Sequence, residues 1–141
     1  MILLDTDHFS VLRYSEHPRC ASLVARLNGS ADPRVATSII TFEEQMRGWL
    51  AEVRRHHEVN EQVLVYDRLA DSIRVFMRWE IVRFDRPAAN SFIRLRKQKV
   101  RIASQDLKIA SIAIAHDALL LSANFRDFRR VPGLRVESWL E

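Results

Sequence analysis

Met1-Ile2-Leu3-Leu4-Asp5-Thr6-Asp7-His8 opens the chain. Ile2, Leu3 and Leu4 are an apolar run of strand length that ends abruptly in two carboxylates, and Ser10, Val11 and Leu12 continue helically. Asp5 is thereby expected at the C-terminal edge of a strand. In open parallel α/β sheets ligands bind outside that edge. A carboxylate there is costly unless something pairs with it, and a divalent cation is its usual partner.

Working outward, short β-rich runs each precede a helical pattern. Cys20, Leu23, Val24 and Leu27 recur at spacings of three and four, and Asn28-Gly29-Ser30 is expected to stop that helix through a left-handed residue. A second strand is read over 34–37. Thr41 reads as an N-cap with Glu44 at capping-box spacing, and Phe42, Met46, Trp49, Leu50 and Val53 as the buried stripe that follows. A long helix over 60–80 is expected to turn Val63, Tyr66, Leu69, Ala70, Ile73 and Met77 inward. The polar break Arg54-Arg55-His56-His57 makes the two a helical hairpin. A third strand is read over 81–84, and Asp85 with Pro87 starts another helix. Asp106 is expected to open a helix with the stripe Ile109, Ile112 and Ala113, before strands over 118–121 and 134–136. This alternation predicts a single α/β domain over 1–141, with a central parallel sheet of four or five strands and helices on both faces.

With 48% hydrophobic and 28% charged residues among 141, the chain has the makings of one globular core. Three glycines and four prolines argue against disorder and against a many-turned β fold. The single cysteine, Cys20, excludes an internal disulfide and a multi-cysteine zinc site and suits a reducing cytoplasm. No membrane span is expected, because the most apolar stretch, 107–122, contains Lys108, His116 and Asp117. No signal peptide is expected either, since strand one starts at residue 2. The formal net charge of +4 suits a polyanionic partner such as nucleic acid, and equally simple solubility.

Asp5, Glu44, Asp106, Asn124 and Asp127 all fall near the C-terminal side of the expected sheet or at helix N-termini beside it. Singly, each has an ordinary explanation. Glu44 completes a capping box, Asp106 is a candidate N-cap, Asn124 and Asp127 lie in a turn-prone segment, and Asp7 caps the helix after it. Jointly they would repel one another, and some would stay protonated. Magnesium or manganese resolves that conflict, since hard cations take oxygen ligands. The cluster therefore reads as a site for metal-assisted phosphodiester hydrolysis.

Ordered blocks then resemble one family. Leu4-Asp5-Thr6-Asp7, Ile40-Thr41-Phe42-Glu43-Glu44-Gln45-Met46-Arg47-Gly48, Asp106-Leu107-Lys108-Ile109-Ala110-Ser111-Ile112-Ala113 and Leu121-Ser122-Ala123-Asn124-Phe125-Arg126-Asp127-Phe128 follow in sequence. Together with the tail from Val131 to Trp139 they resemble the PIN-domain ribonucleases, and within them the toxins of VapBC-type toxin–antitoxin pairs. The second block selects Glu44 over Glu43, Ser122 stands where threonine is usual, and the fourth acidic position is shared between Asn124 and Asp127. The resemblance implies a three-layer PIN-like α/β/α fold and a Mg2+- or Mn2+-dependent endoribonuclease. In it Asp5, Glu44 and Asp106 hold the ion, and Asn124 or Asp127 orients water or supports a second ion. It also implies a homodimer, an RNA substrate such as tRNA or rRNA, and inhibition by a small antitoxin encoded nearby.

Two basic clusters, Arg94-Arg96-Lys97-Lys99-Arg101 and Arg126-Arg129-Arg130, are candidates for phosphate contacts or solvated faces. Trp49, Trp79 and Trp139 are candidates for base stacking, or for core and interface positions. His56 and His57 are expected in solvent, and His8 and His116 show no evident catalytic partner. Two other functions remain open. A haloacid-dehalogenase-like phosphotransferase would use Asp5 of Asp5-Thr6-Asp7 as nucleophile, although Phe9 departs from that pattern. A non-catalytic PIN-like module would bind RNA or protein without cutting.

Overall fold

The expected strands assemble into one five-stranded parallel sheet in the computed structural model, which describes residues 1–13 and 15–140. In chain order the elements are β1 (Ile2–Leu4), α1 (Thr6–Arg13), α2 (Cys20–Asn28), β2 (Val35–Ser38), α3 (Ile39–Arg55), α4 (Val59–Met77), β3 (Ile81–Val82), α5 (Arg86–Lys97), α6 (Ser104–Ala115), β4 (Leu119–Leu121), α7 (Phe125–Phe128) and β5 (Arg135–Glu137). The sheet order is β3-β2-β1-β4-β5. β1 is central, with Leu4 level with Thr37 on one side and Leu121 on the other. The winding direction reverses between β1 and β4, and in such sheets a ligand crevice opens at the carboxyl end of that boundary.

The alternation of strand side chains divides the core in two. Leu3, Ala36, Val82 and Leu120 face the layer built by Leu95, Leu107, Ile109, Ile112 and Phe128. Ile2, Leu4 and Leu121 face Phe9, Leu23, Phe76 and Trp139. On this second face Phe9 stacks on Phe76 at 4.6 Å, and Phe42 meets Phe76 edge-on at 5.1 Å. Aromatic contacts thus tie α1, α3 and α4 together. The result is the expected three-layer α/β/α arrangement.

Several local expectations are corrected. Gly29 closes α2 at φ −82°, not in the left-handed region. Left-handed caps occur instead at Lys99 (φ 61°) after α5 and Asp117 (φ 49°) after α6. In both, the next residue's N–H reaches back five residues along the turn, Val100 to the Leu95 carbonyl and Ala118 to the Ala113 carbonyl, as in a Schellman motif. The N-cap of α3 is Ser38, whose side chain accepts from the Thr41 N–H at 3.1 Å, so α3 starts earlier and Glu44 is not part of a capping box. α6 starts at Ser104 with no side-chain cap, which places Asp106 inside its first turn. β3 is two residues long, and β5 lies one residue later than its apolar pattern.

The inward stripe of α4 differs from the expected one because the helix is apolar on two sides. Val65, Ser72 and Phe76 are buried, whereas Val63, Tyr66, Ile73 and Met77 are exposed, Met77 by 78%. Leu50 on α3 is likewise 54% exposed. The hairpin itself forms, and Gln62 Nε2 donates to the carbonyls of Val53 and His56 across its turn. Among the described residues, no helix is long and apolar enough to cross a membrane.

Candidate active site

Asp5 follows β1 directly and is 6% exposed. Its Oδ1 accepts from the Thr6 N–H at 2.7 Å, and its Oδ2 accepts from Ser122 Oγ at 2.7 Å. Ser122 follows β4, so this second bond crosses the boundary where the winding reverses. Thr6 has a further role: its Oγ1 donates to Glu44 Oε2 at 2.8 Å. One residue therefore orients both Asp5 and Glu44. Glu43 points elsewhere, accepting from Gln105 at 2.6 Å and pairing with Arg47 at 2.6 Å.

On the other side of the crevice, Asn124 Nδ2 donates to Asp106 Oδ2 and Asp127 Oδ2, each at 3.2 Å. A neutral amide with two protons is suited to this position, because a third carboxylate would repel both neighbours. The five residues singled out from the sequence thus lie in two hydrogen-bonded groups, Asp5–Thr6–Glu44 and Asp106–Asn124–Asp127. Electrostatics connects the groups. Burial pushes the Asp5 carboxyl up to about 6 against the Ser122 hydrogen bond, with the charges of Asp7 and Asp106 adding to the rise. Burial also pushes Asp106 up, followed by the nearby charges of Glu44 and Asp127.

From the sequence, Asp7 is expected only as a cap, and His8 shows no evident catalytic partner. The structure gives both a place beneath the site. His8 is fully buried, with Nδ1 2.5 Å from Asp7 Oδ1 and Nε2 accepting from the Trp139 N–H at 2.9 Å. That acceptance puts the ring proton on Nδ1, facing Asp7. Asp7 Oδ2 also accepts from the Ala123 N–H at 2.9 Å. Burial works against the Asp7 charge, but the His8 ring and the Ala123 N–H outweigh it and hold the carboxyl below its ordinary value. Asp7 and His8 therefore lock the ends of β1 and β4 to the C-terminal tail. Nothing in the local sequence signals this, since Trp139 is 131 residues from His8.

The tryptophans offered for base stacking are otherwise engaged. Trp139 is buried with the Arg26 guanidinium 4.4 Å above its ring, and Trp79 packs edge-on against Phe9. Trp49 is half-buried. His57 is exposed, while His56 is half-buried between Glu52 and Glu61.

The donor set suits a hard cation. Asp5, Glu44, Asp106 and Asp127 all offer carboxylate oxygen, and among the described residues no lysine or arginine forms an ion pair with any of them. Two of the four are pushed toward their protonated forms by burial and by one another. Among the described residues, no three carboxylate, histidine or cysteine groups are drawn close enough to enclose an ion as they stand. The arrangement is an acidic rim with uncompensated charge, not a closed cage.

A family model described as "PIN domain" matches residues 2–134. Over 42 residues the chain is 45% identical to Ribonuclease VapC1 of Rickettsia felis, covering 30% of this chain and 31% of that relative. Ribonuclease VapC2 of the same organism is 42% identical over 45 residues, covering 32% and 34%. The aligned stretch thus spans about a third of the length of these curated relatives. Among solved structures, VapBC2 of Rickettsia felis bound to a promoter DNA fragment superposes with a TM-score of 0.70 and 27% identity, covering 99% of each chain. VapBC-1 of nontypeable Haemophilus influenzae superposes with a TM-score of 0.73 and 22% identity over the full length of both, a likeness of fold. With its carboxylates at the winding reversal of a five-stranded parallel sheet and a family model matched to nearly its whole length, the chain belongs to the PIN domain family.

Proposed function

We propose that this chain is a metal-dependent endoribonuclease and acts in the cytoplasm as the toxin of a toxin–antitoxin pair. The observation that carries the reading is the meeting of Asp5, Glu44, Asp106 and Asp127 at one crevice, where among the described residues no lysine or arginine forms an ion pair with any of them. Asp5, Glu44 and Asp106 would hold Mg2+ or Mn2+, with Asp127 beside them. Such an ion supplies positive charge against a phosphodiester and acidifies water near neutral pH. The chain's own residues set the positions: Thr6 and Ser122 fix both oxygens of Asp5, Thr6 orients Glu44, and Asn124 keeps Asp106 and Asp127 apart. Water is the nucleophile. The PIN domain model matched over residues 2–134 supports hydrolysis by water over a phosphotransferase with Asp5 as nucleophile.

The relatives named as ribonucleases and the neighbours solved as VapBC complexes support the RNA substrate and a protein inhibitor. The exposed apolar side chains of the hairpin, Leu50, Val63, Tyr66 and Met77, support a second subunit or the inhibitor as occupant of that face. The purified protein is expected to cut RNA with Mg2+ or Mn2+ and to stop in chelator, and Asp106→Asn should abolish cutting without unfolding. Undiminished cutting in chelator defeats the metal reading. Binding of RNA without cutting, with either ion, returns the non-catalytic module. Expression should slow bacterial growth, and coexpression of the neighbouring gene product should restore it.

A further inference from the structure

The two basic clusters meet, although 27 residues of chain lie between Arg101 and Arg129. The loop after α5 and the loop after α7 enclose a cleft of about 550 Å³ lined by Gln98, Lys99, Val100, Arg101, Arg129, Arg130 and Pro132. Four of those seven are cations and none is a carboxylate. All four are exposed, and among the described residues none forms an ion pair. Without them the chain's formal charge of +4 falls to zero. Arg94, Arg96 and Lys97 belong to α5 and do not line the cleft; Arg96 lies over the Phe92 ring at 5.1 Å.

Two further observations make this more than a solvated face. Lys99 occupies a left-handed position (φ 61°) that costs an L-residue roughly 1–2 kcal/mol and that glycine fills freely. Its side chain therefore brings nothing to the turn that glycine would not. Both loops of the cleft also adjoin the acidic residues along the chain, Arg101 lying five residues before Asp106 and Arg129 two residues after Asp127. A polyanion approaching the carboxylates is repelled by them, and neighbouring cations offset that repulsion.

We propose that Lys99, Arg101, Arg129 and Arg130 form a subsite for the sugar–phosphate backbone of single-stranded RNA, holding nucleotides next to the one cut at the acidic crevice. This rests on the ribonuclease reading for the scissile site, but binding at the cleft does not require cutting. Recognition is by phosphate charge and hence independent of base sequence.

The test uses the full chain carrying Asp106→Asn, in chelator, and a labelled single-stranded oligoribonucleotide followed by fluorescence anisotropy over a salt series. Lys99→Gly, which the left-handed position favours for folding, and Arg129→Gln with Arg130→Gln should each weaken binding. The three together should weaken it about tenfold or more at low salt and flatten log K against log salt by about 0.7 for each lost phosphate contact. Arg55→Gln, on the distant hairpin, should change neither. In the chain with Asp106 intact, the same three substitutions should slow RNA cutting in Mn2+ while leaving hydrolysis of bis(p-nitrophenyl) phosphate unchanged, because that small diester does not span both sites. Unaltered affinity and slope in the triple variant overturn the subsite, as does tighter binding of polyglutamate than of RNA at matched salt. If the cleft variants lose RNA binding while the wild-type chain cuts nothing with either ion, the nuclease reading fails and the subsite stands.

Discussion

Ser122 Oγ donates to Asp5 Oδ2 at 2.7 Å, joining the ends of β4 and β1 across 117 residues of chain. Ser122 Oγ also accepts from the Asn124 N–H at 3.0 Å. One buried hydroxyl thus orients a carboxylate from each group of the acidic crevice, Asp5 directly and Asp106 through Asn124. Ser122→Ala leaves both a buried carboxylate oxygen and a backbone N–H short of a partner. It should cost about 1–3 kcal/mol in denaturant unfolding. It should also raise the Mn2+ concentration needed for half-maximal cutting. Wild-type stability together with wild-type metal response would show that the hydroxyl is dispensable.

The raised Asp5 carboxyl makes stability depend on pH in a definite direction. Its value rises from 3.8 to about 6 on folding, so the folded state prefers the protonated form. That contribution is fully present below about pH 4 and is lost as pH climbs through 6. Asp106 acts in the same direction, whereas Asp7, held low, contributes stability that is lost as pH falls through its depressed value. In chelator, stability should therefore fall between about pH 4 and 6.5, by up to about 3 kcal/mol from Asp5. Asp5→Asn should flatten the decline and melt at the same temperature or higher at pH 7.5. Added Mg2+ should reverse it in the wild type by binding the folded state. Equal pH slopes for wild type and Asp5→Asn would remove Asp5 as the cause.

Ser72 is buried on α4, and among the described residues its hydroxyl is the one buried side-chain polar atom with no hydrogen-bond partner. Ser72→Ala removes that cost and raises helix propensity, so it should stabilise by about 0.5–1.5 kcal/mol. Four residues on, Phe76→Ala deletes the ring that Phe9 and Phe42 pack against and should destabilise by about 3–5 kcal/mol. Urea midpoints of the two variants should shift in opposite directions. A destabilised Ser72→Ala would mean that the hydroxyl has a partner in solution.

Ser38, not Thr41, caps α3. Ser38→Ala should cost about 1 kcal/mol, the usual worth of an N-cap. Because α3 carries Glu44, the variant should also weaken the metal response more than an equally destabilising core change such as Ile112→Val. Metal titrations of the two variants at matched stability read the difference.

Local pattern in the sequence was enough for the strand ending in Asp5, the strand–helix alternation, the parallel sheet and the helical hairpin, because each depends on periodicity within one segment. The ordered blocks also marked Asp5, Glu44, Asp106, Asn124 and Asp127 as candidates, since residue type and spacing are visible along the chain. What pattern could not settle was every choice between two locally equivalent options. Val65-Leu69-Ser72-Phe76 and Val63-Tyr66-Ile73-Met77 are both helical stripes, and only the position of Phe9 and Phe42 in space selects the first. Thr41 and Ser38 are both acceptable caps, and the length of β2 decides between them. The roles of Thr6, Asp7 and His8 depend on Glu44, Ala123 and Trp139, and the basic cleft on two loops far apart in sequence. Those contacts exist only once parallel pairing has set the ends of β1 and β4 side by side, which is a property of the assembled sheet and of no segment alone.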